Sequence, residues 1–498
     1  ARCAAAAAPA ASATSAEGEE TAVQAAAAAP TPWIDALAAC SEDFPVVADG
    51  AAAAALRDAS REALRSGSLA QPTRRAESYR FTDYSGLMKA TPTPPPAADM
   101  ASVQAVVDEC CQGEGAEDVR LVFVDGVYAA ELSRASTAAV PDSALVGALS
   151  ALEGDDAGAG ALSALGMPAG AIRADDERVP DLFPAANGAC FTDAAVVALP
   201  AGARIDAPVR VLYVSSGAAA GGGGGEAPPE VPIASPRLLV VAGEGAQVTV
   251  EEEFVAAGAA AAPGAAYAVN AVSEVVLARG ASVTHGVLQR QTDGCFHMHS
   301  TRVQQASTSK YAASEVCAGA VVGRHSLGVQ QLGEATETEM KTFALAGDGQ
   351  TQDLHSKLVL DHPKGTAEQL HKVIVYAASG RGVFDGNVRV QKAAQETNAQ
   401  QLSRSLLLVP RATTNVKPNL QIVADDVKCT HGATISDLED EEVFYFLSRG
   451  IREEEARKAL VYSFGAEVVD CLPTEATKKR AREVVASKLK EWAQASSA

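Results

Sequence analysis

Lys428, Cys429, Thr430, His431 and Gly432 place a thiol two residues from an imidazole. Alternate residues of an extended segment share a face, so Cys429 and His431 would stand side by side. A sulfur and a ring nitrogen in that arrangement can bind iron or a sulfur-bearing intermediate. The pattern also fits a structural Cys and His packed in a core, because a free Cys is commonly a small apolar residue. A second alternation, Cys295, His297 and His299, would put three donors on one face of a strand. It reads either as a metal-binding face or as a hydrogen-bonded polar ladder, since three ligands fall short of a closed four-ligand site. His355, His362 and His371 are scattered over a Gly and Pro turn, show no shared face and are assigned no role.

Enzyme machinery is not apparent. There is no GxxxxGK[ST] phosphate loop, no GxGxxG following a strand, no GxSxG elbow and no HExxH helix. None of the nine cysteines forms a CxxC pair, so the chain offers neither a four-thiolate cluster site nor a disulfide framework. A reducing compartment fits that usage. Lys and Arg number 41 against 62 Asp and Glu, and the net charge of -21 disfavours nucleic acid and anionic membranes as partners. The long Ala stretches are broken by Pro, Gly or Glu, so no bilayer-spanning segment is predicted.

The elements that must position these residues follow from periodicity. Residues 1–31 are Ala-rich with almost no large apolar side chains, which predicts a disordered tail or the remnant of a targeting peptide, a trimmed chain being the alternative. Residues 32–185 read as a helix-rich N-terminal domain, with helical spacing from Trp33 to Leu69 and a strand at Val119–Val124. Residues 186–435 carry short β-rich runs separated by Gly and Asn or Asp turns. Gly202–Ile205 is echoed by Gly245–Val248 and Gly280–Val283, as expected of coils stacked along one axis. A sandwich would give the same strand density, but recurring small turn residues favour a parallel β-helix. Gly221–Gly225 and Ala256–Ala266 read as flexible surface insertions. Residues 436–498 form a C-terminal helical domain. Ser436 and Glu439 make a capping box, a first helix carries Val443, Phe444 and Leu447 on one face, and a second opening at Glu453 buries Leu460, Phe464 and Val468. Pro473 and Thr474 open a third. The fold class is therefore mainly β, a parallel β-helix core flanked by helical domains.

Lys417–Ile422 (KPNLQI), Ala424–Cys429 (ADDVKC) and His431–Thr434 (HGAT) together resemble the C-terminal signature of the SufB/SufD family of iron–sulfur cluster assembly scaffolds, on its SufD side. Phe444, Tyr445 and Ser448–Ile451 continue the match, as do Gly382–Gln395 upstream and Arg75, Glu77 and Tyr79–Asp83 near the start, where Tyr79 stands in a place often held by Trp. SufB has an EHEAT-like motif where this chain has Thr430–Thr434, and a cysteine-bearing segment not found here. The resemblance is strong over about residues 370–470 and general elsewhere.

The resemblance implies a non-catalytic subunit of an ATPase-driven assembly complex. It would pair with a SufB-like subunit, proposed to add edge to edge at Ser405–Val427, with self-pairing as an alternative when SufB is absent. A SufC-like ATPase would attach through the C-terminal helices. His431 would correspond to a candidate iron or cluster ligand at the SufB interface and Cys429 to its neighbouring thiol, with iron or a cluster held transiently there and no cofactor bound stably by the isolated chain. The start and the Ala-rich composition fit the chloroplast stroma, the bacterial cytoplasm being the alternative. Competing readings are a β-helix carbohydrate-active enzyme, for which a carboxylate cluster within one coil is missing, and a free-standing metal-binding protein using Cys295, His297 and His299. Acidic residues gather instead at Glu251–Glu253 and Asp437–Glu442.

Overall fold

A computed structural model describes residues 32–115, 117–135, 137–152, 162–166, 181–218, 229–438 and 440–495. The tail 1–31, the Gly221–Gly225 insertion and Glu439 of the capping box lie outside these residues.

Residues 195–436 wind into a parallel β-solenoid of about six turns. One sheet stacks Ala195–Leu199, Arg237–Ala242, Tyr267–Leu277, Cys295–Gln305, Val322–Gln331, Thr351–Leu360, Arg381–Val390 and Thr413–Ile422. The facing sheet stacks Val119–Val124, Val209–Ser215, Gln247–Ala256, Ser282–Gln289, Lys310–Cys317, Glu337–Ala346, Thr366–Val375, Thr397–Leu407 and Val427–Ser436. Alternation along each strand sends one row of side chains inward, where Val197, Val240, Val250, Val275 and Val303 fill an apolar core.

The Gly echo marks a corner. Gly202, Gly245 and Gly280 have φ near +70° (72°, 68° and 67°), and Thr308, Ala335, Lys364 and Glu396 continue the column with φ of 60°, 55°, 63° and 60°. Each donates its backbone N–H to a carbonyl of the next coil, for example Gly245 to Arg279 at 2.9 Å and Lys364 to Gln395 at 2.8 Å. The repeat ceases to be visible as Gly because four side-chain-bearing residues accept the left-handed conformation at the same place.

Helices cover the outer faces. Pro32–Cys40, Ala51–Arg65 and Leu182–Cys190 bury Trp33, Leu37, Leu64 and Phe183 with Ile233, Ala268 and Met298 of the first sheet. Glu453–Val469 and Glu475–Ala495 close over Phe343, Leu345 and Ile374 of the second. Approach is close enough that a Cβ at Gly286 would sit 2.5 Å from Pro473, and one at Gly465 2.5 Å from Phe343. The second C-terminal helix buries Val468 as expected, but Val461 and Gly465 take the inner positions expected of Leu460 and Phe464, which are only half-buried. In Asp440–Leu447 only Val443 is buried, and Phe444 and Leu447 are 68% and 41% exposed. The Ala256–Ala266 segment is not a free loop, since Ala257 and Ala260 are fully buried and hydrogen-bonded to Ser215 and Ser216.

The acidic run Glu251–Glu253 anchors the last helix. Glu252 points inward, while Glu251 and Glu253 point outward beneath it. Glu253 accepts from Arg480 at 2.8 Å, Arg290 at 2.8 Å and Arg210 at 3.4 Å, and Glu251 accepts from the Thr474 backbone at 2.9 Å. Burial alone would raise the Glu253 carboxyl, but the three guanidinium groups outweigh it and hold it below the usual range.

Two outcomes are expected. Gly245→Ala should lower stability by about 1 kcal/mol through backbone conformation, because its Cβ would meet no atom within 4 Å; an unchanged denaturation midpoint would show that the corner column does not set the turn. Glu253→Gln leaves three buried guanidinium groups short of a carboxylate and should cost about 3–5 kcal/mol. The same anchor is intact above the unfolded carboxyl range and weakens as pH falls through the lower folded value. Amide exchange across Glu475–Ala495 reads both effects, and protection equal to that of the unaltered chain would remove Glu253 from the anchor.

Candidate functional site

The solenoid ends differ. At its start the edges are short and turned back: Val127–Tyr128 folds antiparallel onto Val119–Val124, and Leu145–Ala148 runs antiparallel to Ala195–Leu199. At its far end Thr413–Ile422 pairs only with Arg381–Val390, and Val427–Ser436 only with Thr397–Leu407. Two ten-residue strands thus leave a row of backbone donors and acceptors without a neighbouring strand among the described residues. The open rung lies one coil beyond part of the stretch expected from sequence, since Ser405–Leu407 belongs to the inner strand Thr397–Leu407. Pro418 sits in Thr413–Ile422, a placement confined to edges, whereas Val427–Ser436 contains no Pro and keeps every N–H.

Cys429 and His431 lie in that final strand, in register with Ala399 and Gln401. Those partners are 1% and 2% exposed and face the solenoid interior, so Cys429 and His431 continue the interior column at its mouth. Cys429 packs partly against the core, and burial pushes its thiol up. His431 is exposed and makes no hydrogen bond to a described residue. Gly432 occupies the opposite face, where a Cβ would stand 3.2 Å from Leu402, so its small size serves packing on the preceding coil.

The segments carrying the resemblance converge on the outside of this rung. Lys417 Nζ donates to Glu77 at 3.0 Å and lies 3.4 Å from Asp385. Arg381 donates to the Phe81 carbonyl at 3.1 Å, and Arg324, lying over the Tyr79 ring, pairs with Asp353 at 2.8 Å. A motif near residue 80 therefore braces the strand that precedes Cys429 and His431.

Cys295, His297 and His299 do share one face, but it is the interior: they are 0%, 3% and 1% exposed. Burial lowers His297 to about 3 and raises the Cys295 thiol, so the trio presents no surface metal site. His371 is also interior, stacked on Phe384, while His355 pairs with Asp353 at 3.1 Å. Among the outward carboxylates of the second sheet, Glu253 is taken up by Arg210, Arg290 and Arg480, and Glu337 pairs with Lys310 at 2.8 Å. Sequence reasoning missed His285, His325, Glu252 and Glu315, which join this interior; the signal was present only as single polar residues at inward positions of successive strands.

A family model described as SUF system FeS cluster assembly, SufBD core domain, matches residues 226–464. Protein ABCI7, chloroplastic, from Arabidopsis thaliana is 46% identical over 305 residues, which cover 61% of this chain and 62% of that protein. A Synechocystis iron–sulfur cluster assembly SufBD family protein is 37% identical over 424 residues, 84% of this chain and 88% of its own length. The iron–sulfur cluster assembly protein SufD of Escherichia coli is 29% identical over 418 residues, 82% and 87% of the respective lengths.

Alkylation of Cys429 should titrate above the ordinary thiol range, as its burial requires. Peptide-resolved iodoacetamide labelling against pH measures this, and a midpoint below that range would mean an activated thiol at the mouth.

Proposed function

The chain belongs to the SufBD family of the SUF iron–sulfur cluster assembly system, and from that premise we propose that it is a SufD-type scaffold subunit without catalytic activity of its own. The observation that carries this reading is the open last rung with Cys429 and His431 at its mouth. A SufB-like subunit would complete the sheets by adding a strand to Val427–Ser436, since main-chain pairing satisfies groups left without a neighbouring strand among the described residues. One exposed imidazole and one half-buried thiol are too few donors for a cluster, so the remaining ligands would come from the partner. Iron and sulfide are cargo in this scheme and are held there transiently.

A SufC-like ATPase would dock on the terminal helices. Phe444, Tyr445, Leu447 and Ile451 are 68%, 54%, 41% and 37% exposed, an apolar surface that no described residue covers. The family match to a chloroplastic relative supports a plastid location.

The test is co-expression with SufB-like and SufC-like subunits, followed by reconstitution of iron and sulfide on the purified complex. His431→Ala should leave subunit stoichiometry unchanged and reduce cluster yield at least roughly tenfold, the scale seen when metal-site residues are altered. Full cluster yield at normal stoichiometry would remove His431 from the site. Loss of the complex itself would assign His431 to assembly instead and overturn the ligand role.

A further inference from the structure

Midway along the solenoid the apolar interior gives way to polar groups. His299 and His325 occupy adjacent in-register positions, and their rings stack with centroids 4.4 Å apart and planes 5° from parallel. From the facing sheet Glu315 reaches across to place a carboxylate oxygen 2.8 Å from His325 Nδ1. One donor atom from each of the three lies within 4.8 Å of the other two. His299 is 1% exposed, His325 7% and Glu315 5%.

Two further observations point to an occupant. Buried imidazole nitrogens normally find partners, yet Nδ1 of His299 and Nδ1 of His297 have none among the described residues. Beside His297 is a cavity of about 20 Å³ lined also by Glu315, Arg324, His325, Thr342 and His371, roughly the space of one water or one ion. Glu252, two coils from Glu315 and bonded to Ser273 at 2.7 Å and to His285 at 2.8 Å, lies 3.7 Å from His299 Nε2 and adds a second buried carboxylate to this stretch of the interior.

We infer that His299, Glu315 and His325 form an interior site for a divalent first-row transition metal, with the His297 imidazole or a water completing its shell. Two imidazoles and a carboxylate are a donor set taken by ions of intermediate softness such as Zn²⁺ and Fe²⁺. Ligand bonds of roughly 2.0–2.1 Å place donor atoms about 3.3 Å apart, so the farthest pair must draw together by about 1.5 Å and the two stacked rings must turn out of parallel, which rotation about the soft terminal torsions of His and Glu provides. Enclosure by successive coils means that the ion is taken up as the solenoid folds. This site is separate from the mouth at Cys429 and His431 and does not depend on the assembly reading.

The untagged chain, expressed in zinc-supplemented medium and desalted, is assayed for zinc by elemental analysis. Close to one equivalent is expected, falling at least tenfold in Glu315→Gln and in His325→Gln and unchanged in His362→Gln. Circular dichroism identifies any variant that fails to fold. Cobalt supplied in place of zinc keeps the test decisive on the unaltered chain, since nitrogen and oxygen ligands give visible ligand-field bands without a near-ultraviolet thiolate band. Less than a tenth of an equivalent of zinc in the unaltered chain, retention in folded Glu315→Gln and His325→Gln, or a thiolate band would each overturn the assignment.

Discussion

In-register parallel stacking is the constraint from which the rest of this molecule follows. Each strand hydrogen-bonds to the coil before and the coil after, so a residue's position along one strand dictates what it touches on the next. The stack cannot satisfy its own ends. The chain blunts the first end with short antiparallel strands and leaves the last as two full-length strands. An unpaired edge of that length is ordinarily a liability, and its retention beside a Cys–His pair is the observation on which the proposed partner surface rests.

The outer faces are managed by burial and charge together. Helices from both ends of the chain cover the two sheets, while Ile422, Val423, Ile435, Phe444, Tyr445 and Leu447 leave apolar groups exposed at the open rung and the helix after it. Glu253 pairs with Arg210, Arg290 and Arg480, drawn from three separate stretches of sequence, and so ties the last helix to a strand more than two hundred residues earlier. Glu77, Asp385 and Lys417 make a comparable long-range link at the surface, where solvent screens it and geometry matters more than energy. The surface link braces the strand at the mouth, whereas the Glu253 anchor lies six strands away towards the start of the stack.

Much of this was legible in the sequence for identifiable reasons. The strand Val119–Val124 and the helix opening at Glu453 were readable because their periods are strong and their termini carry chemical markers. The coil repeat was readable only while the corner residue was Gly; once Thr308, Ala335, Lys364 and Glu396 take over, the conformation persists and the letter does not. On Glu453–Val469 the burial of Val468 was legible, but Leu460 and Phe464 were expected where Val461 and Gly465 pack, because Gly465, which admits Phe343, has no hydrophobicity of its own to register. The interior set of His299, Glu315 and His325 comes from three different strands, and no local spacing could assemble it. Cys429 and His431 were visible as a pair, but only the stacking register shows that they stand at an open mouth.

The central claim is that the last rung is completed by another subunit's strand. Hydrogen–deuterium exchange of Val427–Ser436, compared for the chain alone and in complex with a SufB-like subunit, tests it most directly. The account predicts that amides facing away from Thr397–Leu407 exchange freely in the isolated chain and become strongly protected in the complex. A complex that forms while those amides exchange as fast as before would contradict it.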